Sequence, residues 1–376
     1  MEDFATMSLW LDGVSRSYPP LDCDVTADVA VVGAGIAGVA TAYFLASAGA
    51  KVIVLEARGV AEAASGRNAG FLLAGVAENF VAASHRYGER NALRIWHFTK
   101  HTQALVRSLV AEHGIKCRLS WNGSDQIAGD DDEWREIQAS AQRLASEGIA
   151  VALDPSERRA TYADDGELHP VRWVRGLAAA AVKKGAKIYE STEVRAVEQG
   201  QARTASGVVR ADAIVLCTNA YTAHLATSRV RPVRGQMLAT APTTAFFARP
   251  AYANRGYRYW RQRADGRVLV GGWRDTAVEE EVGEEERTTD AIQKKLESFL
   301  REHGIRAAVT HRWAGTMGFS HDALPYVGAI APGVFVCGGF TGHGMAFGPA
   351  SAELVATLVR GATHPDADLF DPSRDR

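Results

Sequence analysis

The chain has 376 residues, 47% of them hydrophobic and 23% charged, with a formal net charge of −2. This length allows a large core and two domains. The composition is that of a globular enzyme, and the near-neutral charge excludes a broad basic field for nucleic acid or an anionic membrane. The four cysteines, Cys23, Cys117, Cys217 and Cys337, form no C-x-x-C pair, and no His/Cys spacing suggests a metal site. Cys217 and Cys337 sit in apolar runs and read as buried core residues of a reducing compartment. The N-terminus shows no signal peptide, and no apolar run reaches the ~18–20 residues needed to cross a bilayer. The expected location is cytoplasmic.

After an irregular lead-in over residues 1–27, "DVAVVGAGIAGVATAYFLASAGAKVIVLEA" predicts a strand at 28–32, a turn, a helix at about 36–48 and a second strand at 51–55. Gly33, Gly35 and Gly38 match G-x-G-x-x-G in its required strand–turn–helix context. Gly33 permits the tight turn, Gly35 lets a pyrophosphate approach the main chain, and Gly38 lets helix and strand pack closely. The turn residues Ala34, Ile36 and Ala37 then present N–H groups at a helix N-terminus. Glu56 ends the second strand, followed by Ala57 and Arg58. Its carboxylate suits ribose hydroxyls and repels a 2′-phosphate, which disfavours NADP. This motif predicts a dinucleotide, without separating FAD from NAD.

"AEAASGRNAGFLLAG" follows at 61–75. Its small residues allow main-chain contact with a flat ring, and its arginine and amide supply donors. Residues from about 79 to 148 read as helical, with an amphipathic segment and an acid-capped one. A further helix is expected at 170–184, then short strands ending in "AIVLCT". "VRGQMLAT", "YRYWRQRADGRVLVGGWRD" and "AVTHRWAGTMGF" are strand-rich, with a hairpin turn at Ala264-Asp-Gly266. An acidic loop at 279–286 precedes a helix. The basic cluster Arg229, Arg231 and Arg234 and this acidic loop read most simply as solvated surface. The tail returns to strand, glycine turn and helix in "GVFVCGGFTGHGMAFGPASAELVATLVRG".

The turn, the "ASGRNAG" loop and the tail together resemble the FAD-dependent D-amino-acid-oxidase (DAO) superfamily, in its glycine oxidase, sarcosine oxidase and γ-glutamylputrescine oxidase branch. The likeness covers nearly the whole chain. It is specific at 28–71 and 313–360, and weaker over 80–150. It implies an α/β (α+β two-domain) protein with a Rossmann-like FAD-binding domain of the GR2 type, built from discontinuous segments. A substrate domain with a mixed antiparallel sheet and helices would complete it. The expected boundaries are 1–80, 150–222 and 323–376 for the cofactor, and 81–149 and 223–322 for the substrate. By the same resemblance Ser65, Gly66, Arg67, Asn68, Ala69, Gly70 and Phe71 contact FAD, as do Val194 and Thr218. In the tail, Gly339, Phe340, Gly342, His343, Gly344 and Met345 approach the flavin, and main-chain N–H groups of 342–345 would stabilise negative charge on it. His343 is either a side-chain donor or a small polar spacer.

The resemblance implies hydride removal from a carbon bearing an amine, giving an imine that hydrolyses. Two departures from the family pattern bear on the substrate and cofactor. Trp313 stands where covalent-flavin sarcosine oxidases carry a cysteine, so FAD is expected to be non-covalent. Met317 stands where glycine and D-amino-acid oxidases carry a carboxylate-binding arginine, which tilts the substrate from α-amino acids toward amines. Arg258, Arg261 or Arg274 could replace that clamp. Tyr259, His343 and Arg67 are the candidate catalytic residues. Phe71, Tyr257, Tyr259, Arg261, Trp273, Trp313 and Met317 are the candidate substrate pocket, and an aromatic cage suits an amine. The alternatives are a glycine, D-amino-acid or N-methyl amino-acid oxidase, a nicotinamide dehydrogenase, and a non-catalytic flavoprotein or subunit of a heteromeric dehydrogenase. The expected partners are a small-molecule amine or amino acid and O2 or another electron acceptor, with no nucleic acid, no membrane span and no metal. The protein itself is expected to be a monomer or homo-oligomer.

Overall fold

The computed structural model describes residues 7–374, so the expectations that reach residues 1–6 and 375–376 lie outside the described residues. The first unit is β1 (Val25–Val32), α1 (Ile36–Ser47) and β2 (Val52–Leu55), followed by β3 (Phe71–Leu72). Helices α2 (Phe80–Tyr87) and α3 (Glu89–His113) precede β4 (Ser124–Ile127), and α4 (Asp131–Ser146) follows it. Strands β5 (Val151–Asp154), β6 (Arg159–Tyr162) and β7 (Gly166–Glu167) lead into α5 (Pro170–Lys183). Then come β8 (Lys187–Tyr189), β9 (Ala196–Glu198), β10 (Gln201–Arg203) and β11 (Val208–Leu216). The strand-rich part holds β12 (Arg231–Pro242), β13 (Ala251–Ala253), β14 (Arg258–Gln262) and β15 (Arg267–Gly272), then α6 (Asp290–Glu302) and β16 (Val309–Phe319). The tail is β17 (Tyr326–Ala331), β18 (Val334–Gly338), α7 (Gly344–Val359) and α8 (Ala367–Phe370).

One sheet has the order β17-β18-β11-β1-β2-β8. All pairs from β18 to β8 are parallel, and β17 closes one edge antiparallel. Alternation divides its side chains. Val29, Val31 and Val215 face the core shared with α1, α5 and α7, while Ala30, Val32, Ile214 and Leu216 face the opposite cluster. Burial on both faces explains the unbroken apolar runs of these strands. The carboxyl ends of β1, β2 and β11 meet at one edge, where ligands of doubly wound sheets bind.

The second sheet runs β16-β12-β15-β14-β13-β4-β6-β5 and is antiparallel except at β13–β4. Leu238, Trp260, Val268 and Val270 pack under α6, and Met237, Ala239, Leu269 and Trp313 face the first core. Two expectations change here. The segment 79–148 is interrupted by β4, and β5 and β6 belong to this sheet, although 150–222 was expected to lie wholly with the cofactor domain. All three strands are only four residues long, and it is β4 that ties them to the sheet, its partners lying far away in sequence, as Asp125 opposite Ala251 and Thr161 shows. Local periodicity carries no trace of such pairing.

Arg229 and Arg231 are exposed as expected, but one member of the basic cluster and one of the acidic loop are buried. Arg234 is 2% exposed and Glu281 is 1% exposed. Their side chains form two hydrogen bonds of 3.0 and 3.1 Å. This pair stitches the 279–286 loop onto β12. Among the described residues no helix is long and apolar enough to cross a membrane.

Candidate active site

A cavity of about 1180 Å³ lies at the carboxyl edge of the parallel sheet and extends to the inner face of the second sheet. It exceeds the usual range for one small ligand, roughly 300–1,000 Å³. Its first end is the glycine turn. Gly33 adopts φ +101°, and a Cβ there would lie 2.8 Å from the Cys217 carbonyl oxygen. A Cβ on Gly35 would meet Ser65 Oγ at 2.9 Å, and one on Gly38 would overlap the Gly33 carbonyl. Gly33, Gly35, Ile36 and Ala37 line the cavity. Gly38 and Ala34 do not: Gly38 acts in packing, and the Ala34 N–H donates to Glu56 Oε2 at 2.7 Å. The other Glu56 oxygen accepts from Arg58 N–H at 2.8 Å. Burial raises the Glu56 pKa, against the lowering effect of these two N–H groups.

The "SGRNAG" loop forms the floor. Ser65 Oγ accepts from Ile36 N–H at 2.9 Å, and the Asn68 amide donates to the Ala64 and Ser65 carbonyls. Ser65, Arg67, Asn68 and Ala69 line the cavity, as do Ala57, Arg58, Val194 and Thr218. Gly66 and Gly70 lie behind it. A Cβ on Gly66 would overlap the Ala61 carbonyl, and one on Gly70 the Leu168 carbonyl. Arg67 pairs with Glu286 at 3.2 Å and donates to the Ala314 carbonyl at 3.0 Å. Glu286 also pairs with Arg58 at 2.8 Å. The Arg67 side chain therefore fixes its loop to β16 and to the acidic loop.

The tail supplies the third wall. Asn219 Oδ1 accepts from Gly339 N–H at 2.9 Å, joining the turn after β11 to the turn before α7. Gly339 itself stands outside the lining, whereas Phe340, Gly342, His343, Gly344 and Met345 are within it. The His343 N–H donates to the Phe340 carbonyl at 2.8 Å, so it is not available as expected. The first-turn N–H groups of Gly344 and Met345 precede any intrahelical bond. His343 Nδ1 lies 3.2 Å from the Thr341 carbonyl. A carbonyl only accepts, so Nδ1 carries the proton and Nε2 is an acceptor. That Nε2 is buried without a partner, and burial holds the imidazole pKa below its ordinary value. Of the two expected roles, side-chain donor and polar spacer, the donor does not fit this tautomer, and Nε2 is an open acceptor.

The second-sheet end is lined by side chains. Tyr257, Tyr259, Met317, Phe319 and Arg274 reach the cavity. Burial raises the Tyr259 phenol to about 12, so it is a neutral donor. Four other expected pocket residues do not line it. Phe71 backs Tyr252 and Tyr259 with edge-on ring contacts at 5.3 and 6.5 Å. Arg261 is buried against Glu167 at 2.8 Å and donates to the Ala69 and Leu168 carbonyls. Trp273 packs on Phe299 of α6, with ring centroids 5.7 Å apart. Trp313 lies under the loop, its indole N–H donating to the Arg67 carbonyl at 2.9 Å. Arg258 stacks over Trp273 instead of entering the cavity.

Residues 28–358 match the family described as FAD dependent oxidoreductase. The chain belongs to this family, the DAO family. It is 28% identical to a probable oxidoreductase OrdL of Haemophilus influenzae, over 92% of this chain and 85% of that protein. It is 26% identical to γ-glutamylputrescine oxidoreductase of Escherichia coli, over 95% and 89%, and 28% identical to a glycine oxidase of Pseudomonas aeruginosa, over 89% and 94%. Its fold resembles that of glycine oxidase from Geobacillus kaustophilus, with a TM-score of 0.79, 23% identity and coverage of 93% and 99%.

The chain is an FAD-dependent oxidoreductase, and the cavity fits that cofactor. The glycine cradle has no room for side chains, a helix N-terminus faces it, and Glu56 keeps lone pairs for ribose hydroxyls. The unpartnered His343 Nε2 suits the hydroxyl and ring N–H donors that a flavin dinucleotide carries. Sequence reasoning missed Tyr252, Asn219 and Glu286. Tyr252 lies directly opposite Tyr259 across the β13–β14 pair and lines the cavity. An aromatic opposite an expected pocket tyrosine is a signal that strand pairing alone reveals.

Proposed function

We propose that this DAO-family protein oxidises an amine at the carbon next to nitrogen, and takes amines in preference to α-amino acids. The observation that carries this reading is Met317. Its Sδ lies 3.3 Å from where a Cβ of Gly342 would stand, beside the tail turn. A thioether there offers no bidentate donor for an α-carboxylate. Relatives named for γ-glutamylputrescine and for glycine bracket the two substrate classes.

When bound, FAD supplies the two-electron acceptor. The chain's part is binding, orientation and exclusion of water. Tyr252, Tyr257 and Tyr259 form an aromatic wall that suits an amine, and Tyr259 adds a neutral phenol donor. The C–H pair leaves as hydride, the nitrogen lone pair forms the C=N bond, and one N–H proton is released. Water then adds to the imine and expels the amine nitrogen, leaving a carbonyl compound. His343 Nε2 would accept a hydrogen bond from the bound cofactor, and Arg67 acts as a positioning residue through Glu286 and Ala314. The reading that FAD is held non-covalently is supported by the cysteines: among the described residues Cys217 is the one that lines the cavity, and it sits beside Gly33 at the nucleotide end. Deuterium on the amine-bearing carbon tests the step. The predicted result is slower anaerobic bleaching and one equivalent of carbonyl product per flavin reduced. Bleaching insensitive to deuterium, without carbonyl product, would sink the proposal.

A further inference from the structure

Five arginines line the cavity: Arg58, Arg67, Arg86, Arg255 and Arg274. Four of them have carboxylate partners. Glu286 pairs with Arg58 and Arg67, Glu78 with Arg86 at 2.7 Å, and Glu136 with Arg255 at 2.8 Å. Arg274 has no carboxylate partner among the described residues. Its sequence neighbour Asp275 accepts from the Asn254 amide at 3.2 Å instead. The Arg274 guanidinium lies 4.8 Å from the ring centroid of Tyr257 and 4.7 Å from that of Phe319. These rings hold a half-buried cation in place without neutralising it. Its planar set of donors remains open to whatever enters the cavity.

The position along β16 sets what that cation can reach. Trp313, Gly315, Met317 and Phe319 alternate onto one face. A Cβ on Gly315 would touch Arg67 Cβ at 2.8 Å, and Met317 lies against Gly342. Phe319 is one strand repeat further on, about 6.6 Å. Arg274 stacks there, further from the cofactor loop than position 317. An arginine at 317 would grip a carboxylate on the carbon being oxidised. A cation at Arg274 reaches a group further along the substrate.

We propose that Arg274 anchors an anionic group of the substrate, and that this substrate is an amine whose carboxylate lies several bonds from the oxidised carbon. The proposal rests on the amine reading above and narrows it. The site is specific for carboxylate over its neutral isostere because the amide cannot pair with a guanidinium in the same way.

The test uses the FAD-loaded protein and two probes. The first is a series of straight-chain carboxylates from acetate to hexanoate, each with its amide, titrated against the flavin visible band. The wild type is expected to bind the longer carboxylates about tenfold more tightly than their amides. R274Q should remove that gap at unchanged FAD content, and R274K should restore part of it. The second probe compares anaerobic bleaching by ω-amino acids and by n-alkylamines of equal length. The ω-amino acid should be favoured, and R274Q should lower the ratio about tenfold. Carboxylate binding that ignores R274Q overturns the anchor, even if amines bleach the flavin. Carboxylate binding that depends on Arg274, with no amine able to bleach the flavin, leaves the anchor standing and overturns the amine reading.

Discussion

At the cofactor end the cavity wall is rich in glycine and small residues, among them Gly33, Gly35, Ala37, Ala57, Ser65 and Ala69. The glycine turn and the "SGRNAG" loop place glycines where side chains do not fit, and the start of α7 leaves the first-turn N–H groups of Gly344 and Met345 open. At the substrate end the wall is side chains: Tyr252, Tyr257, Tyr259, Met317, Phe319 and Arg274 project from a sheet whose other face is occupied by α6. The first kind of wall is specified by which residues are small. The second can be rewritten one residue at a time without moving the main chain. The two ends should therefore respond differently to substitution.

The largest effect is expected at the first end. Gly38→Ala places a Cβ into the Gly33 carbonyl, which is main chain and cannot turn aside. The protein should purify colourless and lose about 3 kcal/mol of stability by denaturant titration. A yellow variant of normal stability would show that α1 can shift, and would weaken the contrast. Met317→Arg, at the other end, should keep FAD and the fold. It should move the anaerobic reduction preference toward α-amino acids about 100-fold, as a new bidentate clamp permits. No change in that ratio would mean that position 317 does not face the substrate. Glu56→Gln removes the charge but keeps an acceptor, and should raise the FAD dissociation constant about tenfold. Fluorescence titration of apoprotein with FAD measures it.

The smallest effect concerns pH. Burial raises the Tyr259 phenol to about 12, so it stays protonated throughout the neutral and mildly basic range. Raising the pKa of an acid favours its neutral form, so no loss of Tyr259 donation is expected until pH approaches that value. Tyr259→Phe should change the reduction rate by less than about tenfold and leave the pH profile unmoved below about pH 10. A displaced profile would assign the titrating group to Tyr259.

The same contrast explains what the sequence could reveal. The glycine turn was legible because a main-chain requirement appears directly as residue type, and the strand, turn and terminal acid fall in order over 28–56. The tail was legible for the same reason. The substrate end was only partly so. Tyr257, Tyr259 and Met317 reach the cavity, but Trp273 does not, because alternation identifies two faces of a strand and not which one α6 covers. Arg261 and Trp313 share the inner face with Tyr259 and Met317 and are taken up by the Ala69 and Arg67 carbonyls of the "SGRNAG" loop. Tyr252 and β4 depend on pairing between distant segments. Arg234 and Glu281 looked like surface charge because each finds its partner 47 residues away.

The most direct test of the account is an anaerobic titration of the yellow, FAD-loaded protein with matched pairs, each an amine and the α-amino acid that differs from it only by the α-carboxylate. The amine is expected to bleach the flavin's visible band, and its α-carboxylated partner to do so far more slowly. Preferential bleaching by glycine or a D-amino acid would contradict the reading of Met317 and of the substrate end built around it.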